Sequence, residues 1–248
     1  MLRRMALCGV GAPGTGRVSL RPSGLLSHPP RAMGEHLAYH LEELRIALDP
    51  SDARRVLPEL RETDRTILDV GCGIGQTLVA LGAEDRRRIG VDVDEAAIRH
   101  GLEVHGGRIE LAVAAAERLP LPDATADLVI CRVALPYTNV PRALAEMRRV
   151  LRPGGRLWLT LHERRTVQGY LRDALRARHP VRIAHVLYIL ANGALLSSTG
   201  RVLPWLDGRF ESWQSPQAVD RLLRRHGLEV ATRRQGRHAV VEACLPIG

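Results

Sequence analysis

Between residues 66 and 161, short apolar runs alternate with stretches of helical periodicity. The strand-like runs lie at residues 66–70, 88–93, 108–113, 126–131 and 156–161. A helical pattern that starts near Pro141 precedes the last run and must stop at Pro153, because proline lacks the backbone donor that a helix needs. Strands that alternate with helices pack as a parallel sheet covered on both faces. The sequence therefore predicts an α/β fold.

The C-terminal region predicts a helix followed by two strands. Ser215 can cap a helix whose first position is Pro216, and Gly227 lies just past its end. Strand-like runs at 228–234 and 237–244 then flank Gly236. We expect the sheet to finish in an antiparallel hairpin.

Residues 163–213 are too long for a helix-to-strand connection, which usually takes about 2–6 residues. We therefore expect a helical insertion with structure of its own. Its centre, residues 181–196, is apolar apart from four positions, Arg182, His185, Asn192 and Gly193. We expect no membrane-spanning segment here, since the run is shorter than the roughly 20 apolar residues that a span requires.

The charge balance is basic, with 36 Arg, no Lys and 27 acidic residues, a formal net charge of +9. Such an excess is typical of proteins that bind nucleic acid or anionic membranes. However, the arginines are spread along the chain, and complete replacement of lysine indicates a preference for GC-rich codons. Residues 1–34 alone contain five Arg and no acidic residue, which leaves +4 for residues 35–248. The composition therefore does not favour a nucleic-acid partner.

Residues 1–34 are rich in Gly, Pro, Ser and Arg and show no helical or strand periodicity. Such a segment buries too little apolar surface to offset the entropy of ordering, so we predict a disordered leader. It lacks the apolar stretch and cleavage site of a secretory signal. An organellar transit peptide and a translation start near Met33 are the two explanations that stay open.

The four cysteines lie far apart and form no Cys-x-x-Cys pair; they are Cys8, Cys72, Cys131 and Cys244. This spacing indicates reduced thiols in a cytoplasmic protein rather than a disulfide framework or a zinc site. We expect no bound metal.

The sharpest chemical signal is the segment 67–76, which reads ILDVGCGIGQ. Three alternate glycines between a strand and a helix let the backbone turn tightly and approach a ligand closely. A dinucleotide fingerprint would need a small residue at Gln76 and would place Asp69 beside a pyrophosphate that it repels. Asp92 ends the second strand 21 positions after Gly71, where a carboxylate can accept hydrogen bonds from ribose. These residues favour a nucleoside with a cationic end and no phosphates.

Four motifs in this order, LDVGCGIGQ, IGVDVD, AERLPLPDATADLVIC and ALAEMRRVLRPGGRLWLTL, resemble the class I S-adenosylmethionine-dependent methyltransferases. The likeness is greatest to the small-molecule group that includes ubiquinone and menaquinone biosynthesis methyltransferases. It covers residues 66–161 and the C-terminal hairpin. The resemblance implies S-adenosylmethionine as cofactor and a doubly wound, seven-stranded, mostly parallel sheet of order 3-2-1-4-5-7-6 whose last strand is antiparallel. The resemblance also implies that residues 35–248 form one methyltransferase domain.

The same resemblance implies which residues hold the cofactor. The implied set is Asp69, Gly71, Cys72, Gly73, Gly75, Gln76, Asp92, Val93, Ala116, Glu117, Arg132 and Val133. Asp69 and the glycines would contact the methionine portion, Asp92 with Val93 the ribose and adenine, and Arg132 with Val133 the sulfonium side. Many relatives carry an aspartate that binds the adenine amino group, but Ala114 and Ala115 stand there in this chain. A backbone carbonyl or Glu117 must then bind the adenine, or affinity is lower.

Methyl transfer from a sulfonium is an in-line displacement, so holding nucleophile and methyl about 3–3.5 Å apart provides most of the acceleration. A base is optional. His162 and Tyr137 follow the fifth and fourth strands and are the candidate catalytic residues, with His185 and Tyr188 available from the insertion. A surface role for His162 and a wall position for Tyr137 are the alternatives.

The insertion at 163–213 is the natural lid for a substrate. Its apolar centre is followed by Trp205, Phe210 and Trp213, which suggests either a small hydrophobic or aromatic methyl acceptor or simple packing on the core. Methylation of N, O or C is equally open. Two other classes of function also stay open: a regulatory or scaffold protein that binds S-adenosylmethionine without methyl transfer, and an RNA or protein methyltransferase.

Overall fold

The computed structural model describes residues 33–234 and 239–247. Almost all of the predicted leader and the predicted turn at Gly236 lie outside the described residues. The described strands are β1 Thr66–Val70, β2 Arg87–Asp92, β3 Glu110–Val113, β4 Ala126–Cys131, β5 Leu151–Leu161, β6 Glu229–Arg234 and β7 Ala239–Cys244. The described α-helices are α1 Met33–Leu48, α2 Gln76–Ala80, α3 Glu95–His105, α4 Val140–Val150, α5 Arg164–Arg176, α6 Pro180–Thr199 and α7 Pro216–Arg225.

The strands form one sheet of order β3-β2-β1-β4-β5-β7-β6. Strands β1 to β5 are parallel, whereas β7 pairs antiparallel with both β5 and β6. The central strands are largely apolar because helices cover both faces of the sheet, and every residue of β1 is buried. The predicted fold class and strand order are confirmed.

Helix α1 is the one helix within residues 35–61, and it ends at Leu48. Beyond it the carboxylate of Asp49 accepts a hydrogen bond from the backbone of Ser51, at 2.9 Å, and local bonds of this kind compete with helix formation. Strand β5 begins at Leu151 rather than at residue 156, and its register with β4 shifts near its start.

A buried ionic cluster ties the segment before β1 to the amino ends of the central strands. The Arg156 guanidinium lies 2.6 Å from Asp64 and 3.1 Å from Glu242, and all three side chains are at most 8% exposed. It also donates to the carbonyl of Glu59, at 2.5 Å. Removing one member of such a cluster leaves the other charges buried and unpaired, which lowers the free energy of unfolding by about 3–5 kcal/mol.

The insertion consists of the helix pair α5 and α6 and a loop that returns to the sheet. Its buried side chains Val167, Val186 and Ile189 pack against one another and against Trp213. Two backbone bonds anchor the loop to the carboxyl ends of β4 and β5. Ser212 donates to the carbonyl of Pro136 at 3.0 Å, and Gln214 donates to that of His162 at 2.8 Å.

Within the described residues, α6 is the one helix that is long and apolar enough to cross a membrane by length and composition. It is longer than the apolar run that the sequence shows, because it extends from Pro180 to Thr199. Its inner face packs closely on the returning loop. A Cβ at Gly193 would lie 2.2 Å from the ring of Trp213, whose Nε1 donates to the carbonyl of Leu190 at 3.0 Å.

We predict opposite effects for alanine at two helical glycines. Gly193→Ala forces Trp213 away from α6 and is expected to lower the free energy of unfolding by about 1–3 kcal/mol. Gly169→Ala, in α5, meets no atom within 4 Å. It is expected to raise that free energy by up to about 1 kcal/mol, since alanine favours the helix. Urea unfolding measures both, and equal effects would contradict the close packing at Gly193.

Candidate functional site

The glycine loop lies at the carboxyl end of β1 and is closely surrounded. The backbone nitrogens of Gly71 and Cys72 donate to the carbonyl of Val91, at 2.8 and 3.1 Å. Gly71 has φ +78°, and a Cβ there would lie 2.1 Å from the Cβ of Ala134. A Cβ at Gly73, with φ +55°, would lie 2.5 Å from Nδ1 of His40. Both conformation and space therefore require glycine, as the sequence predicts.

Other predicted loop residues support the backbone from below. The Cys72 side chain is buried beside Gly90, and the Gln76 side-chain oxygen accepts a hydrogen bond from the backbone of Ile74 at 3.1 Å. Gly75, with φ +89°, is the N-cap of α2. These side chains fix the shape of the loop.

Asp69 is a buried carboxylate without a hydrogen-bond partner. It is 1% exposed, and neither oxygen makes a hydrogen bond of good geometry. Burial raises the pKa of Asp69 to about 7, although the nearby Arg132 guanidinium and Thr77 hydroxyl favour the charged form. A buried, uncompensated carboxylate is costly, so this position suits a ligand that brings positive charge.

Arg132 links this region to α1. Its Nη2 donates to Oε2 of Glu43 at 2.8 Å, and its Nε donates to Oγ1 of Thr77 at 3.3 Å. Because Glu43 and His40 both lie on α1, that helix covers the carboxyl end of the sheet beside the glycine loop. Sequence reasoning missed both residues, since periodicity shows that α1 is a helix but not which element it covers.

Asp92 and Glu117, predicted to bind the ribose and adenine, lie on neighbouring parts of the same edge. Asp92 accepts hydrogen bonds from the backbones of Gly73, at 2.8 Å, and Asp94, at 2.9 Å, so the first connects it to the glycine loop. Glu117 accepts one from the backbone of Asn139 at 2.5 Å. Of the remaining predicted pair, Val93 is exposed and Ala116 is buried.

Val133 has φ +66°, which is rare for a β-branched residue. Its backbone nitrogen donates to the hydroxyl of Thr160 at 2.8 Å, which holds this conformation between β4 and β5. Conformations of this kind cost about 1–3 kcal/mol and concentrate at functional sites. The strain lies at the predicted sulfonium side.

The structure brings the two candidate catalytic residues together. The rings of Tyr137 and His162 meet edge to face, with centroids 5.9 Å apart. Burial raises the pKa of Tyr137 far above its ordinary value, and the charge of Glu211 raises it further. Tyr137 therefore stays protonated at neutral pH and can donate a hydrogen bond but not accept a proton.

Sequence reasoning missed Glu211, a buried carboxylate on the returning loop. Its side chain is 8% exposed, and Oε2 lies 3.4 Å from Nε2 of His185. Burial raises the pKa of Glu211 to about 8, with nearby Arg209 lowering it in part. No motif marks this residue, because only the fold of the insertion brings it to the sheet.

Electrostatic contacts link Glu211 to three of the four tyrosines of the chain. Burial raises the pKa of Tyr137, Tyr170 and Tyr188, and the charge of Glu211 raises each of them further. Tyr39 of α1 acts electrostatically on Tyr137. The region between α1, the carboxyl ends of β4 and β5 and the insertion is therefore aromatic and contains a buried acid. The described residues contain no group of three or more His, Cys, Asp or Glu side chains placed to hold a metal.

Comparisons with known proteins agree with the fold class. Residues 68–159 match the family described as a methyltransferase domain. The chain is 40% identical over 123 residues to "Probable methyltransferase ltbC" of Aspergillus luteorubrus, and this match covers 42% of each chain. It is 41% identical over 95 residues to the malonyl-[acyl-carrier protein] O-methyltransferase of Hahella chejuensis, and this match covers 37% of this chain and 34% of that one. The chain thus spans less than half the length of these relatives.

A solved structure shows the same fold. The crystal structure of a SAM-dependent methyltransferase from Methanosarcina mazei matches with a TM-score of 0.52 at 22% identity, over 76% of this chain and 95% of that one. The likeness extends well beyond the residues that the family matches, so the sheet as a whole has this architecture.

S-adenosylmethionine is the methyl donor of this family, and the residues present fit it. The buried Asp69 carboxylate without a hydrogen-bond partner can compensate the positive charge of its methionine portion. The glycines let the loop pass close to Ala134 and His40, and the Asp92 carboxylate that binds the loop can accept hydrogen bonds from ribose hydroxyls. Residues 68–159 of this chain therefore match the methyltransferase domain family, and the sheet has the fold of a solved SAM-dependent methyltransferase.

Proposed function

We propose that this protein transfers a methyl group from S-adenosylmethionine to a small hydrophobic or aromatic acceptor. The observation that carries the proposal is the pair of buried carboxylates at one edge of the sheet. Asp69 lies beneath the glycine loop, and Glu211 lies among tyrosines on the acceptor side. When bound, the cofactor supplies a methyl group on a positively charged sulfur.

Binding and exclusion of water are the main contributions of this chain. Asp69 and the glycine loop would hold the methionine portion, Asp92 the ribose, and α1 would cover the site through Glu43 and Arg132. The insertion, anchored at Pro136 and His162, lies where a lid over the acceptor is needed. A dry site that holds the acceptor in line favours displacement without further chemistry.

For acceptors with an O–H or N–H group, we assign proton removal to Glu211. A base is most effective when its pKa is near the working pH, which the value of about 8 for Glu211 satisfies. Tyr137 would orient the acceptor by donating a hydrogen bond. His162 is the second candidate for the base, since its ring contacts that of Tyr137.

One observation favours the scaffold alternative, in which the protein binds the cofactor without transferring a methyl group. Ala114 and Ala115 stand where many relatives carry an aspartate for the adenine. The RNA or protein methyltransferase alternative requires an open cofactor mouth, and the anchored insertion counts against it. We also propose a cytoplasmic location, which the spacing of the cysteines predicts.

We predict that S-adenosylmethionine binds and that Asp92→Ala combined with Gly73→Val abolishes binding. The first change removes the ribose acceptor, and the second places side-chain atoms against His40. Isothermal titration measures the affinity, with Glu103→Gln on the exposed side of α3 as the control. Unchanged affinity in the double variant would refute the assignment of the cofactor site.

An assay of methyl transfer then distinguishes an enzyme from a scaffold protein that only binds the cofactor. Incubation with labelled methyl donor and a metabolite extract is expected to yield a labelled small molecule. Binding without any labelled product would favour the scaffold alternative, whereas label in RNA or protein would favour the third class.

We predict that cofactor affinity depends on pH through Asp69. Because its pKa of about 7 lies above the ordinary value, the carboxylate is largely protonated below pH 7 and cannot compensate a cation. Affinity should weaken by roughly tenfold from pH 7 to pH 5.5. Titration calorimetry of Asp69→Asn should show weaker binding that barely changes over this range, while Asp85→Asn should follow the wild type. If the affinity of Asp69→Asn still fell from pH 7 to pH 5.5 as in the wild type, Asp69 would not be the group that makes cofactor binding depend on pH.

We predict that kcat/KM rises with pH through about 8, because Glu211 must lose its proton before it can accept one from the acceptor. Glu211→Gln should flatten this rise and lower kcat by about 10²-fold or more, with cofactor affinity retained. The labelled acceptor from the extract serves as substrate. If His162→Asn flattens the profile and Glu211→Gln does not, His162 is the base.

A further inference from the structure

The net positive charge of the chain beyond its first 34 residues lies entirely on the insertion. Residues 35–248 contain 31 Arg and 27 acidic residues, of which 163–213 hold eight and four, so the remainder is balanced. Within the insertion, residues 174–206 contain four Arg and no Asp or Glu. A codon preference explains why the basic residues are arginine but not why acidic residues are missing from this stretch.

The tip of the α5–α6 hairpin combines exposed arginine with exposed apolar side chains. Every residue from 175 to 182 is exposed. Leu175 is 52% exposed and Val181 46%. Three arginines lie among them, Arg176, Arg178 and Arg182.

The outer face of α6 continues this surface without any charge. Between residues 183 and 197 its exposed positions recur at helical spacing and are apolar; they are Ala184, Leu187, Ala191 and Ala194. The following loop adds Leu203 and Leu206, the latter 93% exposed. Leu203 is held against α6, since its carbonyl accepts hydrogen bonds from the hydroxyl of Tyr188 at 2.8 Å and the amide of Asn192 at 3.1 Å.

The inner face of α6 packs against the rest of the protein. Val186, Ile189 and Leu196 are buried. The buried amide of Asn192 donates to the carbonyl of Glu211 at 2.9 Å, which ties α6 to the loop below it. Such a helix can lie in the plane of a membrane interface with its apolar exposed face toward the hydrocarbon and the arginines at its end near the headgroups.

We propose that the α5–α6 insertion docks this protein on membranes that contain anionic lipids. Arginines around an apolar patch complement acidic headgroups above hydrocarbon. A second copy is the less suitable occupant, because a symmetric dimer through this face would bring like charges together. The proposal does not depend on methyl transfer, although it places the acceptor region beside the lipid surface.

Vesicle sedimentation of the full-length protein tests the docking, with phosphatidylcholine vesicles that contain or lack phosphatidylglycerol. Binding should require the anionic lipid and weaken at high salt. The variant R176Q/R178Q/R182Q should lower the partition coefficient by about 100-fold at low salt. Leu187→Ser combined with Leu206→Ser should lower it by about tenfold or more.

The matched control is R99Q/R108Q/R118Q, which removes the same charge from exposed positions outside the insertion. An equal loss in this control would overturn the proposal, because net charge or the first 34 residues would then explain binding. Equal binding to both vesicle types, or none to either, would also overturn it. So would a dimer that the leucine exchanges dissociate without any vesicle binding.

Brominated lipids provide a second measurement that needs no variant. Trp205 lies on the loop of Leu203 and Leu206 and is partly exposed, whereas Trp158 is buried in the sheet. Docking should place Trp205 within the interface and quench part of the fluorescence. Unquenched fluorescence of vesicle-bound protein would overturn the proposed orientation.

Discussion

The carboxylate of Asp69 is the constraint around which the functional edge is arranged. It is buried at the end of β1 without a hydrogen-bond partner, so the fold keeps Arg132 close by. That arginine in turn needs Glu43, which fixes α1 over the glycine loop. These contacts connect the buried carboxylate to α1. The carboxylate itself explains why a cationic ligand, rather than a phosphate, suits this site.

The two ends of the sheet have different roles. At the amino end, Arg156 and Arg61 pair with Asp64 and Glu242 in a compact cluster whose charges are matched. At the carboxyl end, Val133 is strained and Asp69 lacks a hydrogen-bond partner. Stable proteins tolerate such local costs when other regions compensate for them. The matched cluster and the buried strands supply stability that the functional edge does not.

The sequence predicts the fold and the glycine loop because both leave local signals. The run of β1, the alternate glycines and Asp92 all lie within 30 residues, and their spacing alone indicates strand, turn and strand. The acceptor side leaves no such signal. Glu211 approaches Tyr137 only because the returning loop bonds to Pro136. The contact between Glu43 and Arg132 likewise joins residues 89 positions apart, which no periodicity reveals.

The position of β7 sets the order in which the molecule can be completed during translation. This strand pairs with β5 on one side and β6 on the other, so the sheet stays open at β5 until residues 239–244 have been synthesised. Between the end of β5 at Leu161 and the start of β7, a ribosome needs roughly 4–16 seconds. During that interval the long edge of β5 is an unpaired template for other strands. Helices α5 and α6, whose contacts are local, can form during this interval.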